Sequence, residues 1–314
     1  MSLNNFKGKS IAIDFSIVAY QKFHELLPGY IIFNDDDFFE VNWNDFKYRW
    51  KGAIIDFIFQ MIKREITPIC VLDGAKNELK KNENLKREKQ RERSVELYEI
   101  AKKNYLDSLG TFVQNDALEK YQNAFRQQVK FDNSMINDIA VILRMLKIPV
   151  LESTEEADFL IASLHQEGKI DAVFSSDTDL IVYGIDKLLI SYHNQQFEMV
   201  DRKHLLDTLE INEEMLVDIA VMLGTDYNDK VADVGPVRAL KLIREYGKLE
   251  LLPSKYYSMK SKRNVVRHRF LEIPSSAELT VRVDNPDFNR DNFFETGEET
   301  LKKYRLGKKW QIFF

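Results

Sequence analysis

Ser10-Ile11-Ala12-Ile13-Asp14 is a short apolar run closed by a carboxylate, and it decides the fold. A run of this length with no polar alternation reads as a strand buried on both faces, as in parallel sheets. The same signature returns downstream. Pro68 to Leu72 precedes Asp73-Gly74, and Ala172-Val173-Phe174 precedes Ser175-Ser176-Asp177-Thr178-Asp179. Ile148 to Leu151 and Leu188 to Ile190 add two further runs. Between them, Ala53 to Lys63, Asn133 to Leu146 and Asp158 to Gln166 carry apolar residues at i, i+3, i+4, the spacing of helices with one buried face. This alternation predicts an α/β fold, a mostly parallel central sheet flanked by helices. Functional groups in such sheets gather beyond the carboxyl ends of the strands. Asp14, Asp73 and the pair Asp177 and Asp179 follow three of the runs, so carboxylates are expected along one edge.

Two regions depart from the alternation. Residues 76 to 135 read as an insertion: a charged helical stretch from Lys76 to Lys103, a loop around Gly110, and a second helical stretch from Ala117 to Gln128. Asn212 to Gly247 reads as two helices about a turn, with Asn212 as a cap, Pro236 in the first turn of the second helix, and Gly247 ending it. The tail after Leu252 reads as irregular, apart from a basic run from Lys260 to Arg269. The expected organisation is a core over 1–247, holding the insertion at about 76–135 and the helix pair at about 212–247, with a C-terminal extension over 248–314 packed on it.

With 314 residues, 44% of them hydrophobic, the chain can bury a substantial core. A formal net charge of −5 excludes a uniformly basic nucleic-acid coat, so any such contact must be local. The single cysteine, Cys70, sits in an apolar run; it cannot form an internal disulfide and favours an intracellular setting. No stretch approaches the ~20 apolar residues of a membrane span, and the first residues lack signal-peptide character.

The five histidines, His24, His165, His193, His204 and His268, have no metal-ligand spacing, so zinc is not expected. Walker loops, Gly-x-Ser-x-Gly elbows and Gly-x-Gly-x-x-Gly turns do not occur. The remaining chemistry is that of carboxylates. Any one acid after a strand is an ordinary cap or surface residue. Asp14, Asp73, Glu156, Asp158, Asp177, Asp179 and Asp226 together are harder to explain so, because clustered acids repel unless cations neutralise them. Magnesium, a hard cation taking oxygen ligands, suits such a set.

Ile11-Ala12-Ile13-Asp14, Val71-Leu72-Asp73-Gly74, Glu156-Ala157-Asp158, Ser176-Asp177-Thr178-Asp179 and Leu223-Gly224-Thr225-Asp226-Tyr227 stand in the order found in flap endonucleases. From Gly8 to Gly247 the chain resembles this XPG-type family of structure-specific 5′ nucleases, which have a PIN-like fold. The resemblance implies that the seven acids ligate two Mg2+ ions directly or through water, with Mn2+ able to substitute. It implies phosphodiester hydrolysis giving 5′-phosphate and 3′-hydroxyl ends: a flap endonuclease with 5′-3′ exonuclease activity on branched DNA in replication, repair or recombination. Asp158 stands where the family usually has Glu, and spacing alone does not orient Glu156 and Asp158; Ser153 or Thr154 is the expected cap of their helix.

The resemblance further places Lys80 and Arg87 at the base of a helical arch, where they would stabilise the scissile phosphate. Tyr20 resembles a residue that stacks on a nucleobase, although a helix residue packed on the core reads equally well. Ala232-Asp233-Val234-Gly235-Pro236 resembles a helix-two-turn-helix, which implies duplex contacts by Val234, Gly235 and Arg238 and a potassium ion at the turn. Asp233 replaces a family glycine, and the Met-Gly opening of the family is missing. The final Lys308 to Phe314 ends in paired aromatics but has no glutamine at the offset of a sliding-clamp motif, so no clamp partner is expected, and the chain is read as a monomer. Its setting would be the nucleus for a cellular eukaryotic protein and a cytoplasmic replication compartment for a viral one. Two rivals stay open: a 5′ exoribonuclease or other PIN-type RNase, and a non-catalytic nucleic-acid-binding scaffold of the same fold.

Overall fold

The computed structural model describes residues 2–34, 36–74, 81–132, 134–193, 196–253, 256, 260–290, 293 and 300; for residues 81–84, 86, 87, 193 and 260–263 it describes the backbone alone. β1 (Ser10–Asp14) lies inside the main sheet because Ile11, Ala12 and Ile13 offer both sheet faces only apolar surface, and all three are fully buried. It pairs in parallel with β4 (Thr67–Leu72) on one side and β6 (Ala172–Phe174) on the other. β5 (Val150–Ser153) and β7 (Lys187–His193) extend the parallel set outwards. β8 (Gln196–Asp201) and β9 (Thr280–Asp284) close the edges in antiparallel pairing, giving seven strands in the order β8-β7-β6-β1-β4-β5-β9. The α/β architecture expected from the sequence is the one observed.

Helices cover both faces. On one, α1 (Phe15–Leu26), α2 (Trp43–Lys63) and α5 (Ser134–Met145) bury a core that includes Phe23, Phe46, Trp50, Ile55 and Ile139. Trp50 Nε1 donates to Ala19 O at 3.0 Å, so its polar edge is satisfied inside this core. On the other face lie α6 (Ala157–Gln166), the single-turn α7 (Asp179–Val182), α8 (Arg202–Leu209), α9 (Glu213–Leu223), α10 (Pro236–Tyr246) and α11 (Lys260–Leu271). The α9–α10 pair begins and ends as the caps predict: Asn212 accepts from Met215 N at 2.9 Å, and Gly247 takes φ +81°.

Several elements correct the sequence reading. A hairpin of β2 (Ile31–Phe33) and β3 (Phe39–Val41) interrupts the chain between α1 and α2. The tail expected to be irregular contains α11, the single-turn α12 (Ser276–Leu279) and β9, which joins the main sheet. The basic composition of 260–269 hides α11, whose anchors are the buried Val266 and Phe270, one turn apart, and an Arg267 to Asp218 contact at 2.7 Å.

The insertion is a pair of packed helices, α3 (Lys81–Asp107) and α4 (Gln114–Gln128). It is pinned to the hairpin through an aromatic cluster. Phe39 packs with Tyr105 and Tyr121, and the hydroxyl of Tyr105 donates to Asp37 Oδ1 at 3.2 Å. Among the described residues, no helix is long and apolar enough to cross a membrane.

Candidate active site

β1 ends at Asp14, and the chain turns directly into α1, so this carboxylate serves as the helix cap: Oδ1 accepts from Ile17 N at 3.3 Å. Its other oxygen accepts from Ser175 Oγ at 3.0 Å. Ser175, fully buried just past β6, also takes the N–H of Asp177 at 3.0 Å, and Asp177 Oδ1 takes that of Asp179 at 2.9 Å. One serine thus ties the end of β1 to the acidic loop after β6. That serine was not singled out from the sequence, and no local signal would have revealed it.

Asp73 leaves β4 and reaches across to the next layer, where Oδ1 accepts from Ala157 N at 3.0 Å. The helix cap expected from Ser153 or Thr154 is therefore supplied by a different strand. Glu156 is the residue at the cap position but makes no side-chain cap bond, while Ser153 Oγ donates to Glu156 O at 3.0 Å and braces the turn. Gly74 permits the approach: its N–H donates to Glu155 O at 2.5 Å, and a Cβ there would lie 2.0 Å from Ser153 O. Glu156 and Asp158 are each only 9% exposed. The phenol of Tyr227 donates to Glu156 Oε2 at 2.7 Å and accepts from the Tyr183 hydroxyl at 3.2 Å.

Asp226 stands in the turn that follows α9. Gly224 opens that turn at φ +91°, where a Cβ would lie 2.8 Å from Lys230 N. Asp226 faces Asp177 and Asp179 across a cavity of about 540 Å3 whose lining also includes Asp229 and Lys230. Five of the acids therefore fall into two linked groups, Asp14 and Asp73 in one, Asp179 and Asp226 around this cavity in the other, with Asp177 belonging to both.

Electrostatics marks the first group. Burial pushes the Asp14 carboxyl up to about 7, the charge of Asp73 adds to that effect and Asp177 contributes further, against the hydrogen bonds from Ser175 and Ile17. Converging negative charge at a buried carboxylate is what a bound cation would relieve. Among the described residues, no three carboxylate, imidazole or thiol side chains close tightly enough to hold an ion by themselves. An all-oxygen set of this kind fits a hard divalent cation such as Mg2+, which keeps several waters and completes its shell with substrate phosphate.

The remaining sequence candidates are less uniform. Lys80 lies outside the described residues, and Arg87 belongs to α3 with its side chain outside them. Tyr20 is 52% exposed, its ring edge-on to His24 and Phe131, so it is not a core residue. Val234 has a buried side chain, and its N–H donates to Val231 O at 3.2 Å. Gly235 is exposed at the start of α10. Arg238 donates to Asp233 O at 3.1 Å and to the Tyr256 hydroxyl at 2.8 Å, and Asp233 takes φ +58°, conformationally the place of a glycine.

The chain is thus an α/β protein whose mostly parallel sheet carries acids beyond its strand ends and a two-helix insertion beside them. Residues 1–94 match the XPG N-terminal domain and residues 147–226 match the XPG I-region, together more than half of the sequence. Flap endonuclease 1-A of Physcomitrium patens is 31% identical over 265 residues, covering 79% of this chain and 60% of that protein. Flap endonuclease 1 of Candida tropicalis is 27% identical over 331 residues, covering 96% and 83% respectively. The chain belongs to the XPG-type flap endonuclease family. In fold it resembles flap endonuclease-1 from Methanococcus jannaschii, with a TM-score of 0.61 at 20% identity, covering 98% of this chain and 95% of that one. It also resembles human GEN1, solved in complex with Holliday junction DNA, with a TM-score of 0.60 at 18% identity, covering 98% and 70%.

Proposed function

We propose that the chain is a divalent-metal-dependent, structure-specific 5′ nuclease: a flap endonuclease with 5′-3′ exonuclease activity that hydrolyses DNA at junctions of duplex with a free 5′ single strand. The observation that carries this reading is the placement of Asp14, Asp73 and Asp177 beyond three neighbouring strand ends, with the charges of Asp73 and Asp177 adding to burial in raising the Asp14 carboxyl. Intracellular DNA replication, repair or recombination is the matching role.

Asp14, Asp73, Glu156 and Asp158 would hold one side of a site for two Mg2+ ions, with Mn2+ as a substitute, and Asp177, Asp179 and Asp226 the other. When bound, such ions lower the pKa of a water and stabilise the entering and leaving oxygens of an in-line displacement at phosphorus. The protein's own part is geometric. Ser175 orients Asp14 and the 177–179 loop together, while Asp73 fixes the start of α6 and with it the bearing of Glu156. Gly235, with the start of α10 and Arg238, would meet the duplex backbone, where unpaired helix N–H groups suit a phosphate. Lys80 and Arg87 would stabilise the scissile phosphate, and the exposed ring of Tyr20 would stack on a nucleobase. A potassium ion at the turn would lie beside the Arg238 guanidinium, which already occupies the Asp233 carbonyl and disfavours a second cation.

The test is a panel of 5′-labelled flap, nicked duplex, single-stranded DNA and RNA substrates, cut side by side in Mg2+ and in EDTA. Cleavage of the flap near its junction, dependent on metal, is expected. A preference for RNA, or cutting that EDTA leaves undiminished, would overturn the proposal.

A further inference from the structure

α11 brings Arg269 to the back of the acid edge. Its guanidinium carbon lies 4.0 Å from the ring centre of Phe159 and 4.8 Å from that of Tyr227, and Nη2 donates to Glu155 Oε2 at 3.0 Å. Each of these partners adjoins a site carboxylate in sequence: Glu155 precedes Glu156, Phe159 follows Asp158 and Tyr227 follows Asp226. We infer that Arg269 is a positioning residue for Glu156, acting through Tyr227; the inference rests on the nuclease reading above.

The geometry supplies each step. Tyr183 donates its proton to the Tyr227 hydroxyl, so Tyr227 directs its own proton to Glu156 Oε2 at 2.7 Å. The phenol can hold that direction only if its ring cannot tilt. A guanidinium over the ring face, itself anchored by Glu155 and Phe159, resists tilting through cation–π attraction. Partners that hydrogen-bond a ligating carboxylate orient it, and losing one typically costs about 10–100-fold in metal affinity or activity. α11, far from the acids in sequence, thereby becomes part of the site.

The experiment measures Mn2+ binding to the full chain without DNA, by the electron paramagnetic resonance signal of free Mn2+, for the wild type, Tyr227→Phe, Arg269→Gln, Arg269→Lys and the Tyr227→Phe/Arg269→Gln double variant. Single-turnover flap cleavage against metal concentration and thermal melting accompany it. Tyr227→Phe keeps the ring and is expected to weaken Mn2+ binding about tenfold. Arg269→Gln should do the same, and the double variant should lose no more than either single, since both act through one carboxylate. Arg269→Lys keeps the charge without the planar fork and should fall between. KM for DNA should stay unchanged while the metal requirement rises. If Arg269→Gln does not fold, Tyr227→Phe and Arg269→Lys decide. Wild-type Mn2+ affinity in folded Tyr227→Phe, or losses that add in the double variant, would overturn the inference. A wild type that neither binds Mn2+ nor cuts would instead overturn the nuclease reading.

Discussion

Asp73, just past β4, caps the helix that starts after Glu156 and carries Asp158: its Oδ1 accepts the Ala157 N–H at 3.0 Å. A residue read as a metal ligand therefore also holds α6 in place. Asparagine separates the two roles because it can still accept that bond but carries no charge. Asp73→Asn is expected to melt within a few degrees of wild type yet cut at least 100-fold more slowly, whereas Asp73→Ala should also lose about 1 kcal/mol of stability with the cap. Thermal melts and single-turnover assays on both variants check this.

Gly74 allows the same approach of chain to chain. A methyl group there would lie 2.0 Å from Ser153 O and must displace the β5–α6 turn. Gly74→Ala should cost about 1–3 kcal/mol in denaturant unfolding, as overpacking does, and should depress cleavage because Asp73 and Glu156 move apart. Wild-type stability with wild-type activity would show that the turn yields freely.

In metal-free buffer, Asp14 dictates a pH dependence. Its folded carboxyl titrates near 7, raised first by burial and then by Asp73, against an ordinary 3.8 in the unfolded chain. The folded state therefore binds the proton more tightly, and this stabilisation is complete below about 4 and lost as pH rises through about 7. Asp14→Asn removes the effect. In EDTA the variant should be the more stable protein at pH 8, and the gap should narrow on acidification; melting curves of both proteins from pH 5 to 8 check the trend.

The hairpin clamp on the insertion makes a separate prediction. Phe39 packs against Tyr105 and Tyr121, so Phe39→Ala should loosen α3 and α4 from β2 and β3 without touching the acid edge. Hydrogen exchange over residues 98–125 should accelerate by an amount equivalent to about 3 kcal/mol of local stability, the usual cost of such a truncation. Unchanged exchange there would mean that the clamp is not what orders the pair.

The sequence made the buried parallel strands legible because Ile11 to Ile13 and Ala172 to Phe174 carry no polar alternation, and it placed carboxylates just beyond them. It could not show β2 and β3, three residues each, or β9, whose Val281 and Val283 stay exposed on an edge strand. Nor could it show the contacts that tune the site. Ser175 to Asp14, Tyr227 to Glu156 and Arg269 to Tyr227 join residues far apart in the chain, and neither periodicity nor spacing registers such pairs. The cap of α6 was misread for the same reason: propensity favours a local Ser or Thr, but the fold brings Asp73 from another strand.

The claim that converging acids make this a metal-dependent nuclease is tested most directly with Asp177→Ala, since Asp177 belongs to both acid groups. A 5′-flap substrate in Mg2+, with binding followed by fluorescence anisotropy in parallel, should be cut by the wild type and left intact by the variant, which should still bind it. Cleavage by Asp177→Ala at the wild-type rate would contradict the account.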